Sequence, residues 1–160
     1  MTRDQFKSKY AGGHYGDNGS MKDRLKELAG KVFDSINPLV TILTDNTTLT
    51  EDQTGGIFGI GTDAKVITLP ATKAGLKYTF INTGAAGNNI VTISPAAADG
   101  ISGTITLAAS VVVDAGVVNK DLINTKATSK AGDTVTLIGT GVTGTTAWII
   151  MSSTGIWAAE

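Results

Sequence analysis

From Lys65 onward the chain consists of short runs in which β-branched or aromatic residues alternate with polar ones. Alternation with a period of two residues is typical of a β-strand that buries one face. Six runs of four to six residues show it clearly: Lys65–Leu69, Leu76–Ile81, Asn89–Ile93, Thr104–Leu107, Asp133–Ile138 and Ala147–Met151. Weaker runs lie at Leu39–Leu43, Ser110–Asp114, Leu122–Thr125 and Gly155–Ala158. No strand–helix–strand spacing separates these runs, so the pattern excludes a parallel α/β sheet and predicts a mainly β domain.

The composition favours strands over helices. Hydrophobic residues make up 41% of the chain but aromatic residues only 6%, and 20 of the 160 residues are glycine. A core of small, branched side chains suits a pleated sheet, and glycine suits the tight turns between short strands. We therefore predict an antiparallel β-sandwich or jelly-roll-like body, with an extended N-terminal arm and one short α-helix.

The density of charge changes near residue 37, and this divides the chain. Residues 1–34 carry seven Lys or Arg and five Asp or Glu, whereas the rest carries six and nine. The first part also spaces the aromatic residues Phe6, Tyr10 and Tyr15 through a glycine-rich segment. Because disordered tails are usually poor in aromatic residues, this spacing indicates a segment that orders against a partner. We predict an attachment arm at 1–37 and a β body at 38–160.

Residues 20–35 within the arm have the pattern of one amphipathic helix. Ser20 is a good N-cap, and Asn37-Pro38 ends the helical pattern. An apolar stripe at helical spacing comprises Met21, Leu25, Leu28 and Val32. A single helix of this length is marginal in water, so it is expected to pack on the body or on a neighbouring subunit.

The overall charge argues against several classes of partner. The net charge is −1, so no positive field favours nucleic acid. The chain has no cysteine, which excludes disulfides, thiolate catalysis and cysteine-based zinc sites. No apolar run approaches the length of a membrane span, and no hydrophobic segment follows the N-terminus as in a secretory signal. We expect a protein made in a cytoplasm that binds neither nucleic acid nor membrane.

The residues that carry chemistry are few and scattered. His14 is the only histidine, and it lies in the glycine-rich arm, where it lacks the rigid support that catalysis needs. His14 and Asp17 together provide too few ligands for a zinc site. Four aspartates of the body are interpreted as turn formers rather than as a glycosidase pair or a calcium site: Asp99, Asp114, Asp121 and Asp133. We therefore predict no enzymatic activity, no metal and no cofactor.

Two glycine runs resemble nucleotide-binding loops only superficially. Gly139–Gly144 matches the spacing G-x-G-x-x-G, but a predicted strand follows it where a phosphate site needs a helix. We predict a hairpin loop there. Gly55–Gly61 lacks the spacing altogether, and the preceding Thr50–Gln53 is typical of a turn or a helix start.

The only tryptophans, Trp148 and Trp157, lie near the C-terminus. Large aromatic residues are usually core or subunit-interface anchors, and this is the interpretation preferred here. The alternative is a platform on which sugars stack.

Several short sequence segments of the body resemble β modules of tailed-phage virion proteins. They are Ile67–Pro70, Ala74–Asn82, Gly132–Gly139, Trp148 and Gly155–Trp157. The similarity extends over residues 47–158 and is to head-decoration, head-fibre and tail-fibre proteins. The resemblance implies a homotrimer that binds the major capsid protein and stabilises the outer surface of the head.

In that setting the arm is the expected attachment segment. The candidate contacts with the capsid or another partner are Arg3, Phe6, Lys7, Lys9, Tyr10, His14 and Tyr15. The alternative function is a short tail-fibre or receptor-binding module that recognises a host-surface glycan, and a glycan hydrolase ranks last. The chain has 160 residues and no long repeat stalk, which favours compact decoration over a fibre.

Overall fold

A computed structural model describes residues 40–160, and their regular secondary structure is almost entirely β-strand. The strands are β1 (Val40–Leu43), β2 (Thr47–Thr48), β3 (Ile57–Ile60), β4 (Lys65–Thr68), β5 (Lys77–Asn82), β6 (Val91–Ser94), β7 (Asp99–Thr106), β8 (Val111–Asp114), β9 (Leu122–Asn124), β10 (Thr134–Gly139), β11 (Gly144–Thr154) and β12 (Trp157–Ala159). A single 3-10 turn covers Glu51–Gln53. The mainly β fold class is thus confirmed. The predicted arm, and the helix at 20–35, lie outside the described residues.

Each run predicted as a strand overlaps an observed strand, but two strands were missed, the two-residue β2 and the longer β3. The sequence of β3, Ile57–Ile60, lies in the glycine run Gly55–Gly61, where no strand is predicted from the sequence. Phe58 and Ile60 point into the core, while Gly59 lies on the opposite face. A Cβ on Gly59 would come within 2.8 Å of Ile42 Cδ1. Gly59 therefore leaves room for the Ile42 side chain, which lies beside it on the neighbouring strand β1.

The strands form two mixed sheets. Sheet A has seven strands in the order β1-β3-β5-β10-β11-β7-β8, and sheet B has five in the order β12-β9-β6-β4-β2. The prediction of antiparallel pairing is wrong for β1–β3, β3–β5, β7–β11, β2–β4 and β4–β6, which are parallel. For the four pairs other than β7–β11, the reason is that β1 to β6 alternate between the sheets. Each return to the same sheet therefore runs in the same direction as the strand before it.

Both sheets contribute to a single hydrophobic cluster. Side chains alternate along β5, where Tyr78 and Phe80 are fully buried and Thr79 between them is not. The aromatic rings contact one another, with Phe58 and Phe80 at 5.9 Å between centroids and Tyr78 and Trp148 at 5.6 Å. From sheet B the cluster takes Ile67, Val91, Ile93, Leu122 and Trp157. Removal of apolar area from water by this cluster is the main source of stability.

A buried polar network ties the loops at one end of the sheets together. Asn82 on β5 donates to Asn124 Oδ1 on β9 at 2.6 Å and accepts from Asn89 at 2.9 Å. Asn124 donates in turn to Asp133 Oδ2 and to the carbonyl of Ile156, each at 2.9 Å. Because these amides are buried, each bond replaces one to water and fixes the strand ends on which it lies.

Tyr78 combines a buried ring with one hydrogen bond, and this gives a pH-dependent prediction. Its hydroxyl donates to the Thr50 carbonyl at 2.9 Å, and burial raises the pKa of Tyr78. Since the folded state holds the neutral phenol, this stabilisation is present below the unfolded pKa of about 10 and is lost as pH rises through the higher folded value. Tyr78→Phe should cost about 1 kcal/mol at neutral pH.

Urea unfolding of both proteins between pH 7 and 11 measures this. The variant should lose less stability than the parent protein over the alkaline part of the range. If the free energy of unfolding fell equally with pH in the two proteins, the pKa of Tyr78 would be the same in the folded and unfolded states.

Candidate functional site

The described residues expose an unusual set of aliphatic side chains at the two edges of sheet A. Val40 and Ile42 lie on β1 with 49% and 59% of their surface exposed, and Val111 and Val113 lie on β8 with 66% and 80% exposed. Isolated exposed aliphatic residues are normal on any surface. Pairs on edge strands are different, because an apolar edge strand can pair with another chain.

We call the group Val111, Val113, Val117 and Val118 the β8 patch. Val111 pairs with Thr106 and Val113 with Thr104 on β7. Val112 points to the opposite face and packs against the hydrophobic cluster. The hairpin β7–β8 thus holds one valine in the core and presents its neighbours to solvent.

Hydrogen bonds and close backbone contacts fix the chain after β8. Asp114 Oδ1 accepts from the main-chain amide of Gly116 at 3.0 Å, and the main-chain amide of Asn119 donates to the Asp99 carbonyl at 2.9 Å. Gly116 has φ +76°, and a Cβ there would lie 2.2 Å from the Thr145 carbonyl oxygen. Only glycine fits this approach, so Gly116 determines where Val117 and Val118 emerge.

Asp99 anchors the start of β7. It is 1% exposed, and its Oδ2 accepts from the Thr72 amide at 2.8 Å. Thr72 continues the link by donating its hydroxyl to the Ala147 carbonyl at 2.7 Å. The other carboxylate oxygen, Asp99 Oδ1, has no hydrogen-bond partner among the described residues. The interpretation of Asp99 as a turn former is therefore incomplete, since its carboxylate reaches across the fold instead.

Two of the other three aspartates that are interpreted as turn formers accept hydrogen bonds from nearby backbone amides, and Asp133 also accepts one from the Asn124 side chain. Asp114 closes the turn to Gly116, and Asp133 accepts from the Lys130 amide at 2.9 Å. Asp121 lines a cavity of about 30 Å³ together with Asp114 and Lys120, room for about one water molecule. Within residues 40–160, no cluster of three or more His, Cys, Asp or Glu side chains is placed to bind a metal.

Asp63 ties two surface loops together. The Lys126 ammonium donates to its carboxylate and, with the Ile90 amide that donates at 3.0 Å, lowers the pKa of Asp63. The contact is on the surface, so it orients the loops more than it stabilises the fold.

The residues singled out from the sequence fall into two groups. Trp148 and Trp157 are fully buried in the hydrophobic cluster, so neither ring offers a surface for a sugar or a second subunit. The seven candidate contact residues of the arm lie outside the described residues: Arg3, Phe6, Lys7, Lys9, Tyr10, His14 and Tyr15. The glycine run Gly139–Gly144 joins β10 to β11 as the predicted hairpin loop.

No residue of the β8 patch is predicted as functional from the sequence, because Val111–Val113 does not alternate between apolar and polar side chains. Yet a run of valines without alternation on a short strand implies apolar side chains on both faces. That signal was present in the sequence and points to a surface that needs a partner.

No helix in residues 40–160 is both long and apolar enough to cross a membrane. Comparison of the chain with protein-family models and with curated proteins finds no match.

Proposed function

We propose that the chain is a structural protein of a tailed-phage virion that decorates the outside of the capsid. The observation that carries the proposal is the exposure of aliphatic pairs at both edges of sheet A, Val40 with Ile42 and Val111 with Val113. Surfaces of this kind become buried when a protein joins a larger particle. The phage identity comes from the sequence phrases in residues 47–158. The homotrimer implied by the same resemblance remains a prediction.

The body is proposed to be a β-sandwich of sheets A and B. The shared hydrophobic cluster supports this arrangement. The jelly-roll topology is not confirmed, because the alternating strands β1 to β6 pair in parallel, which that antiparallel topology lacks.

The proposed role of the arm is attachment to the major capsid protein. Its basic and aromatic residues provide charge and large apolar contacts, which are the usual anchors of an interface. A decoration protein that binds the intact capsid lattice, and not the dissociated capsid subunits, stabilises the assembled shell by mass action. No catalytic step or cofactor is required for this function.

The receptor-binding alternative predicts a groove of exposed aromatic side chains. In residues 40–160 every aromatic side chain is buried: Phe58, Tyr78, Phe80, Trp148 and Trp157. This observation favours decoration over recognition of a host-surface glycan by the body.

The test is binding to undecorated capsids of the phage that encodes the chain. The full chain should sediment with the shells and add density to their outer surface in electron micrographs. A variant lacking residues 1–19 should fold, as judged by circular dichroism, but bind at least about tenfold more weakly, a loss that corresponds to 1.4 kcal/mol.

The triple variant Phe6→Ala, Tyr10→Ala, Tyr15→Ala keeps the length of the arm and is the matched control for its anchors. It should reproduce most of the loss. Unchanged occupancy of the deletion variant would disprove the role of the arm, and no density from the full chain would disprove decoration itself.

A further inference from the structure

The edge of β8 is an unpaired strand whose hydrogen-bonding groups face away from the sheet. Leu107 donates its amide to the Ser110 carbonyl at 2.8 Å, so this pair of the hairpin is hydrogen-bonded. In an antiparallel pair such positions alternate with non-bonded ones. The register Thr106↔Val111 and Thr104↔Val113 therefore falls on non-bonded positions. It follows that Val111 and Val113 direct their amide and carbonyl groups outward.

The edge of β8 is free for pairing over its three valines. No described strand lies on this side of β8. Proline, lysine and bulges, which protect many edge strands, are absent from Val111–Asp114; the strand is protected only by its length of four residues and by Asp114 at its end. Val111 and Val113 carry both the outward backbone groups and the exposed side chains. A partner strand would therefore form hydrogen bonds with the backbone groups and also cover part of the apolar surface.

We infer that β8 is the contact through which two copies of this chain pair, antiparallel about a two-fold axis at Val112. In this register Val111 of one copy lies opposite Val113 of the other, and the outward amides and carbonyls of both residues are satisfied reciprocally. Val112 meets Val112 of the second copy on the inner face, next to the two cores. Sheet A then continues across the pair.

A second copy is the partner that the strand itself specifies. The outward groups sit at Val111 and Val113, symmetric about Val112, so the strand is complementary to its own inverted copy. The only charged residue of β8, Asp114, falls opposite Ser110 and not opposite a second carboxylate, which would repel it. The four valines of the two strands form one apolar cluster on the outer face.

The interface is small, so the pair is expected to dissociate on dilution. The inference does not rest on capsid decoration and competes with the predicted homotrimer. Sedimentation velocity of the full chain over a range of concentrations should show a reversible monomer–dimer equilibrium.

Val113→Lys should weaken the dimer at least about tenfold, because pairing would bring two ammonium groups into the valine cluster. Val142→Lys is the matched control, since Val142 is 65% exposed but lies in the β10–β11 loop. It should leave the equilibrium unchanged. Melting curves establish that both variants are folded.

Cross-linking reads the register directly, because the chain has no cysteine of its own. Non-bonded antiparallel pairs place Cα atoms about 4.5 Å apart, within the range that a disulfide spans. Val112→Cys should form a covalent dimer on mild oxidation, and Val142→Cys should not. A concentration-independent monomer, a trimer that survives Val113→Lys, or equal cross-linking of the two cysteine variants would overturn the inference.

Discussion

Asn124→Ala should lower the free energy of unfolding by about 3 kcal/mol, although it removes only a small polar side chain. Asn124 is fully buried, and its amide connects Asn82, Asp133 and the Ile156 carbonyl. Removal of the Asn124 amide leaves the Asn82 amide, the Asp133 carboxylate and the Ile156 carbonyl each with one hydrogen-bond partner fewer in a buried site. An unsatisfied buried group costs more than the bond itself contributes, so the losses accumulate.

Urea unfolding at pH 7 measures the effect. Asn88→Ala is the control, because Asn88 is exposed in the neighbouring loop, and its loss should be within about 0.5 kcal/mol of zero. A second variant, Asn124→Asp, keeps the shape but places a carboxylate where the amide now lies 2.9 Å from Asp133 Oδ2. It should be less stable than the alanine variant at pH 7, because two carboxylates would face each other in a buried site. Similar stabilities of Asn124→Ala and Asn88→Ala would mean that the network does not hold the loops.

Gly116→Ala should cost about 3 kcal/mol or more, since it combines two penalties. The residue has a positive φ of +76°, which an L side chain adopts only with strain, and its Cβ would collide with the Thr145 carbonyl at 2.2 Å. The turn around Gly116 would have to move away from β7 and β11, whose carbonyl oxygens at Ile101 and Thr145 lie within 3.0 Å of such a Cβ.

Gly132→Ala separates the two penalties. Gly132 also has a positive φ, +95°, but a Cβ there meets nothing within 4 Å. It should lose only about 1 kcal/mol, the cost of strain alone. The difference between the variants, measured by thermal or urea unfolding, reports the collision. Equal losses would show that the backbone around Gly116 yields easily.

Local patterns predicted the strands but not their partners. Alternation in Leu76–Ile81 and Asp133–Ile138 located β5 and β10, because a period of two residues can be recognised within one segment without knowledge of its neighbours in the sheet. The parallel pairing of β3 with β5 depends on residues far apart in the chain, and nothing in either segment specifies it. The sandwich-like composition suggested antiparallel neighbours, which is the common case, and that expectation was wrong for half of this fold.

The polar contacts were equally inaccessible from the sequence. Asn82, Asn89 and Asn124 each look like an ordinary turn or strand-end residue, and only the fold brings their amides together. The β8 patch differs, since Val111–Val113 is contiguous and apolar. Three consecutive valines place apolar side chains on both faces of a strand, and this signal in the sequence indicates the exposed face of β8.

The position of β10 and β11 within sheet A has a consequence for biosynthesis. This hairpin lies between β5 and β7, two strands that precede it in the chain and that have no direct pairing with each other. Sheet A therefore stays divided until residues 134–154 have left the ribosome. A nascent chain that stops short of them leaves the inward-facing Phe80 and Ile101 exposed to solvent, and exposed apolar surface makes an unfinished chain prone to aggregation. Completion of sheet A therefore waits for synthesis of residues 134–154, because a chain interrupted before them lacks the two strands that join β5 to β7.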